Sequence, residues 1–409
     1  MAMRASVPNP KTPSDEAGPS SHPEPEPPHI AVSAAGSAQP FDALALSCAQ
    51  ARGGYAWWYI EVHDQAEARY GLTLIVFAGS VFSPHYAERL HQGHADSGLD
   101  HPAVHFALYE REPGKPSLSR QRLWVMNEYP RDALVKNASE IQVAQTALRY
   151  RPDGLDVEID EDTTRFFGKP GERVRVRLRI DTPLHIGSAL APFALGENAA
   201  GEAHFWQPIA PAATAQVELS CGALHLRFSG HAYCDRNCGS GRLEDTFRRW
   251  SWAHGVTAAR DPAALVLYQA QRWDGRVLAL AVRYPAQPSP YPDGGARVWR
   301  DDGSGWGGSA GGRTDYLWLR VPPRFVLGEF QAERIAKGRL EDAPFYARYS
   351  ALLSAPSDEK TATSTPDREQ FLGVGEYLDL ERFRSRAVQR LLTYKTRVIA
   401  DRSSSRTLP

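Results

Sequence analysis

Between residues 155 and 284 the chain repeatedly alternates apolar and polar side chains, the period-two pattern of a half-buried β-strand. In RVRVRLRI at 173–180 every second residue is Val, Leu or Ile and the others are arginine. LDVEID at 155–160 does likewise, and VLALAVRY at 277–284 is read as a strand of the same kind. The breaks between them, RPDG, GKPGE, RWDGR and SPYPDGG, supply the Gly, Pro and Asp that tight turns need. Such strands recur roughly every 10 to 15 residues, with few helical patterns before residue 330, which predicts antiparallel sheets built as sandwiches or barrels. A chain of 409 residues suits two β-domains better than one.

The two ends differ in kind. Residues 1–40 are rich in Pro, Ser, Ala and Glu, as in HPEPEPPHI at 22–30, and this composition predicts a disordered tail because it offers too little apolar area to offset ordering entropy. At the other end Leu380, Phe383, Ala387, Val388, Leu391 and Val398 recur at helical spacing, apart from Arg382, Arg386, Arg390 and Arg397. That pattern predicts a basic amphipathic helix, packed on the β-domain or lying on a membrane surface. The predicted boundaries are a tail at 1–40, an N-terminal β-domain at 41–240, a C-terminal β-domain at 241–380, and the helix and tail at 381–409. DDGSGWGGSAGGRTD at 301–315 is read as a mobile connection or lid, not a phosphate cradle, since no helix start follows it.

Composition narrows the function. Lys and Arg total 47 against 48 Asp and Glu, for a net charge of -1, so no overall field attracts a polyanion and nucleic acid is not expected as a partner. Four cysteines are too sparse for a secreted disulfide framework, the N-terminus lacks a secretory apolar stretch, and no run of some 18 apolar residues occurs. A cytoplasmic protein without a membrane span is predicted. His231, Cys234 and Cys238 form HxxCxxxC, but no fourth ligand is evident nearby. GxSxG, Rossmann and Walker fingerprints are absent, and no metal or cofactor is expected.

Four stretches resemble the carotenoid 1,2-hydratase family, also called hydroxyneurosporene synthases. They are GGYAWWYIEVHD with YGLTLIVFAGSVFSPHYA (53–64 and 70–87), HFW (204–206), GHAYCDRNCGSGRLEDTFRRWSWAHG (230–255) and GEYLDLERF (375–383), and together they span roughly residues 45–395. Cys238 stands where the family's AYxDxNxG run often carries an aromatic residue. The resemblance implies an all-β chain of two lipocalin-like, calycin-type antiparallel barrels with a short C-terminal helix. It also implies cofactor-independent hydration of acyclic carotenoids such as neurosporene and lycopene, and a setting peripheral to the inner or photosynthetic membrane of a phototrophic bacterium.

Hydrating an unactivated trisubstituted alkene needs a proton for C2, stabilisation of a tertiary cation at C1, and a water to capture it. Tyr233 and Asp235 are two apart in one strand-like segment, and His204 and Trp206 are two apart in another, so each pair projects from one face. Asp235 is the candidate general acid: an ordinary Asp titrates near pH ~3.9, and burial can raise that by about 3, equivalent to ~4 kcal/mol. Tyr233 is expected to hold its proton, His204 to relay one, and the Trp206 face to stabilise the cation. The plainer reading makes Asp235 a turn cap and HFW a strand end. Trp57, Trp58 and Tyr59 of YAWWY, with Trp250 and Trp252 of RWSW, are the candidate walls of a polyene channel, with core filling as the alternative. Two other activities stay open at this point: a non-catalytic carotenoid or isoprenoid carrier, which gains nothing from a buried acid, and an isoprenoid cyclase.

Overall fold

The computed structural model describes residues 42–182, 190–259, 262–286, 295–303, 319, 324–327, 330–357 and 368–399. The expected tail at 1–40 and most of the glycine-rich stretch at 301–315 lie outside the described residues. The first half of the chain supplies β1 (Tyr55–Asp64), β2 (Tyr70–Ala78), β3 (Pro102–Glu110), β4 (Arg120–Glu128), β5 (Leu134–Lys136), β6 (Glu140–Val143), β7 (Thr146–Arg151), β8 (Gly154–Arg165), β9 (Lys169–Asp181), β10 (Phe193–Glu197), β11 (Ala203–Cys221) and β12 (Leu224–Gly239). The second half supplies β13 (Phe247–Val256), β14 (Ala264–Arg272), β15 (Val277–Tyr284), β16 (Arg297–Asp301), β17 (Arg324–Leu327), β18 (Phe330–Asp342), β19 (Tyr346–Pro356) and β20 (Arg368–Asp379).

These strands form two sheets that divide between Gly239 and Phe247. The first runs β4-β3-β2-β1-β12-β11-β9-β8-β7-β6-β5, with β10 beside β11, and the second runs β16-β15-β14-β13-β20-β19-β18-β17. A last short strand, β21 (Arg397–Val398), returns to the first sheet and pairs in parallel with β4. The all-β, antiparallel expectation is met. Each sheet curls over its own apolar core, yet among the described residues no ladder joins its two edges, so neither closes as a hydrogen-bonded barrel.

A third core lies between the sheets and sets the site. On β1 the even-numbered residues Ala56, Trp58, Ile60 and Val62 join the first sheet's own core, while Tyr55, Trp57 and Tyr59 face the shared one, as strand alternation requires. β12, β13, β14 and β15 contribute Tyr233, Trp250, Trp252, Val266, Tyr268, Leu280 and Val282 to the same layer. Strands buried on both faces have no reason to alternate. VLALAVRY is therefore buried throughout, whereas β9 keeps its arginines in solvent and its Val, Leu and Ile inside.

The expected C-terminal helix is broken. α1 (Ala43–Gln50), α2 (Pro84–His91) and α3 (Leu243–Thr246) precede α4 (Leu380–Phe383), which is followed by α5 (Arg386–Leu391), one 3-10 turn at Leu392–Tyr394, and β21. The apolar positions did not all belong to one stripe: Phe383 enters the shared core, Leu391 is exposed, and Val398 sits in the strand paired with β4. Among the described residues no helix is long and apolar enough to cross a membrane.

Candidate active site

β12 lies between β1 and β11, and its alternation puts Tyr233, Asp235 and Asn237 on the shared core while Cys234 and Cys238 face the first sheet's core. Asp235 is 2% exposed. Its Oδ2 accepts from the Tyr233 hydroxyl at 2.7 Å and from the Trp206 indole N–H at 2.8 Å. Oδ1 has one longer partner, the Asn237 amide at 3.3 Å, whose orientation is fixed because the Asn237 carbonyl accepts from Tyr268 at 3.1 Å. Burial drives the Asp235 carboxyl up to about 7, against the lowering effect of the Tyr233 and Trp206 hydrogen bonds and with help from the Glu376 and Glu61 charges. A carboxylic acid with that pKa is substantially protonated at neutral pH, and Oδ1 is the oxygen with room to carry the proton.

Two prolines shape this region. Pro208 stands opposite Asp235, and the β11 register shifts between Pro208 and Ala210 and again between Ala210 and Ala213. Proline cannot donate to the ladder, so the strand bulges here, as strands often do beside functional sites. The bulge leaves the Pro211 carbonyl to accept from His254 Nε2 at 3.0 Å, while His254 Nδ1 donates to Glu61 Oε1 at 2.6 Å. Both ring nitrogens face acceptors, an arrangement that only the imidazolium satisfies. The ring stacks on Tyr233 with centroids 4.2 Å apart, and Tyr59 donates to the other Glu61 oxygen at 2.8 Å. Burial opposes ionisation of Glu61, but His254 and His63 outweigh it and hold the carboxyl at about 2. Sequence reasoning missed this pair, although each member stands two residues beyond a predicted aromatic on the same strand face.

Tyr233, Asp235 and Trp206 come together as the spacing suggested, but two expected roles change. His204 does not bond to Asp235: Tyr55 Oη lies 2.9 Å from its Nδ1 and Thr246 Oγ1 lies 2.7 Å from its Nε2. Burial alone lowers the imidazole to about 3, so it is neutral. Gly239 permits the contact, because a Cβ there would meet His204 Nδ1 at 2.3 Å. Trp206 has Phe193 stacked on it at 5.4 Å and Tyr268 tilted against it at 5.3 Å, and its indole N–H meets Asp235. Its contact with the acid is therefore that of a hydrogen-bond donor.

Four of the five proposed wall residues converge. Trp57 stacks on Trp250 at 5.4 Å, and Tyr59 packs edge-on against Trp252 at 5.2 Å. Among the described residues the buried indole nitrogens of Trp250 and Trp252 find no acceptor. Trp58 points the other way, into the first sheet's core, where its N–H donates to Asp42 at 2.8 Å. One residue of register separates the two tryptophans, and that is enough to send them to opposite faces.

A cavity of about 330 Å³ opens beside this layer, between β2–β4 and the β18–β19 connection. Ile75, Phe77, Phe82 and Tyr346 form its apolar wall, and His105, Glu341 and Arg348 its polar floor. Asp235 is not on its lining. The sheet register gives the relation: Met126, His105, Ile75, Tyr59 and Asp235 are successive partners across β4, β3, β2, β1 and β12. Neighbouring strands are ~4.8 Å apart, so Ile75 and Asp235 are separated by about 10 Å with Tyr59 between them.

For a metal, HxxCxxxC is unsuitable, because alternation places His231 on the opposite face of β12 from Cys234 and Cys238. His85, His101 and Glu128 bring potential ligand atoms within 4.8 Å of one another. They are joined to one another by hydrogen-bond contacts: Glu128 Oε1 lies 3.1 Å from His85 and 3.2 Å from His101, and its other oxygen accepts from Ser83, the N-cap of α2.

The chain is 31% identical over 356 residues to the acyclic carotenoid 1,2-hydratase of Thiocapsa roseopersicina, covering 84% of this chain and 73% of that one. It is 28% identical over 327 residues to the enzyme of the same name from Rhodobacter capsulatus, covering 79% and 96%. The solved structure of an AttH from Nitrosomonas europaea shares the fold, with a TM-score of 0.51 at 15% identity over 80% of this chain and 92% of that one. The family model for carotenoid hydratase CrtC matches residues 74–291, from within β2 through β15, a span that contains Asp235, Tyr233, Trp206 and His254. The chain belongs to the carotenoid hydratase CrtC family of hydro-lyases.

Proposed function

We propose that the protein hydrates the C1–C2 double bond of acyclic carotenoids such as lycopene and neurosporene, with Asp235 as the proton donor. The observation that carries this reading is a carboxyl buried within the aromatic layer between the sheets and raised to about 7 chiefly by that burial. Its Oδ1 delivers a proton to C2, the π-electrons of the alkene form the new C–H bond, and C1 becomes a tertiary cation. Water adds to C1 and gives up a proton to the Asp235 carboxylate, which restores the acid. Nothing is oxidised or reduced, so the cycle calls for no redox partner.

The other residues act on this cycle. Tyr233 and Trp206 stabilise the carboxylate that forms when the proton leaves, the electrostatic support that matters most in the transition state. The faces of Trp57, Trp250, Trp252 and Tyr59 suit a cation and a flat polyene, at ~1–2 kcal/mol for a desolvated cation over a ring. His204, neutral and held by Tyr55 and Thr246, acts as a positioning residue for the Tyr55 side of this layer. The cavity gives a carotenoid end its approach, and Tyr59 and Trp57 are the side chains that must yield for it to reach Asp235.

The test is incubation of the purified protein with detergent-dispersed lycopene in oxygen-18 water, without additions, followed by mass spectrometry. Labelled 1-hydroxy product from the wild type and none from Asp235→Asn supports the reading. Carotenoid binding without labelled product, for neurosporene as well as lycopene, refutes it in favour of a carrier; an unlabelled cyclised product points to a cyclase.

A further inference from the structure

The mouth of the cavity is built unlike the rest of the surface. The β8–β9 hairpin ends in RFFGK, residues 165–169, with Phe166 69% and Phe167 70% exposed, the two most exposed large apolar side chains among the described residues. Phe167 has φ +61°, a left-handed conformation that a bulky residue rarely adopts. Gly168 follows at φ +64°, and a Cβ there would meet the Thr396 carbonyl at 2.7 Å, so the tip is fitted closely against the C-terminal segment. Phe167 also packs edge-on against Tyr394 at 5.1 Å. The two phenylalanines are therefore held outward by a defined turn.

The same segment lines the cavity. Phe166, Leu391, Tyr394 and Lys395 stand at its opening, and Leu391 and Tyr394 are themselves exposed. Arg165, Lys169 and Lys395 are exposed around this apolar rim, and neither Arg165 nor Lys169 has an ion-pair partner among the described residues. Exposed aromatic rings flanked by two cations without ion-pair partners match the interface of an anionic bilayer, where rings enter the acyl boundary and cations meet headgroups. A water-exposed protein surface gains nothing from placing two adjacent phenylalanines in solvent.

We propose that the Phe166–Phe167 hairpin tip, with Leu391 and Tyr394, docks on an anionic phospholipid bilayer and seats the cavity mouth at the membrane surface. This inference rests on the carotenoid reading in one respect: a lipid-dissolved polyene then passes from bilayer to cavity without crossing water. It moves membrane contact away from the arginine-rich face of a C-terminal helix and onto the hairpin tip and the turn beside it.

The experiment is co-sedimentation of the full chain with vesicles of phosphatidylcholine alone and of phosphatidylcholine mixed with phosphatidylglycerol. The wild type is expected to sediment with the mixed vesicles and to be released by salt. Phe166→Ser/Phe167→Ser is expected to lose about tenfold or more of this binding. Leu372→Ser, which removes an exposed leucine elsewhere, keeps it. A fluorophore on Phe166→Cys, selective because all four native cysteines are buried, should shift to the blue with mixed vesicles. A wild type that stays in the supernatant, a double variant that sediments normally, or an unshifted fluorophore overturns the proposal. Hydration of detergent-dispersed lycopene by the wild type is read in parallel. Product without sedimentation refutes docking alone, and sedimentation without product refutes only the hydratase reading.

Discussion

Replacing Tyr233 with Phe removes one oxygen atom and one of the two hydrogen bonds on Asp235 Oδ2. A hydrogen bond to a charged group is worth ~1.5–3 kcal/mol, and each pH unit of pKa corresponds to ~1.4 kcal/mol. Tyr233 favours the ionised form, so its loss raises the Asp235 pKa above its starting value of about 7, by about one to two pH units. Asp235 donates only when protonated. Activity is thus full below its pKa and falls tenfold per unit above it, and the falling limb of the rate profile moves to higher pH in Tyr233→Phe. The plateau drops at the same time, because the carboxylate left by proton transfer has lost a donor. The assay is initial hydration of lycopene from pH 5 to 10 for both proteins, with the fold checked by circular dichroism. A limb that stays in place, or moves toward acid, refutes the assignment of Asp235 as the donor or of Tyr233 as its partner.

Three further outcomes follow from the same geometry. Asp235 keeps its proton in the folded protein and releases it when unfolded, so its folded pKa of about 7 costs stability as pH rises from its ordinary value of 3.8 to 7; below 3.8 the cost is absent. Asp235→Asn should therefore be more stable than the wild type by up to about 4 kcal/mol at pH 8 and by much less at pH 5, as measured by urea midpoints. Glu61→Gln leaves the His254 imidazolium buried without its counter-ion, which should cost ~3–5 kcal/mol on unfolding by urea; because Glu61 raises Asp235, the activity limb should move toward acid, opposite to Tyr233→Phe. Trp57→Ala should raise KM for lycopene, whereas Trp58→Ala should lose ~3–5 kcal/mol of stability with KM unchanged; equal effects on KM would contradict their opposite facing.

How much of this could be read in the chain depends on whether a strand has one wet face. β9 announces itself because its arginines reach water, and the Tyr233–Asp235 and His204–Trp206 pairs followed from the same two-residue rule. β1 and β15 are buried on both sides, so no polar residue marks which face is which, and Trp57 and Trp58 looked alike. Partners across the sheet were invisible: Tyr55 and Thr246 take His204 from a neighbouring strand and a helical turn, and Pro211 takes His254 beside register shifts that two prolines hint at but do not specify. The C-terminal pattern misled because residues serving three different surfaces, the shared core, the cavity mouth and the β4 edge, happened to recur at helical spacing.

The central claim is that Asp235 is a carboxylic acid near neutral pH, and infrared difference spectroscopy of the wild type against Asp235→Asn reads it directly. From pH 5 to pH 9 the difference spectrum should show a buried protonated carboxyl band that disappears with a midpoint near 7. A difference spectrum already showing carboxylate at pH 5 would contradict the account, because the group could not then hold the proton that hydration requires.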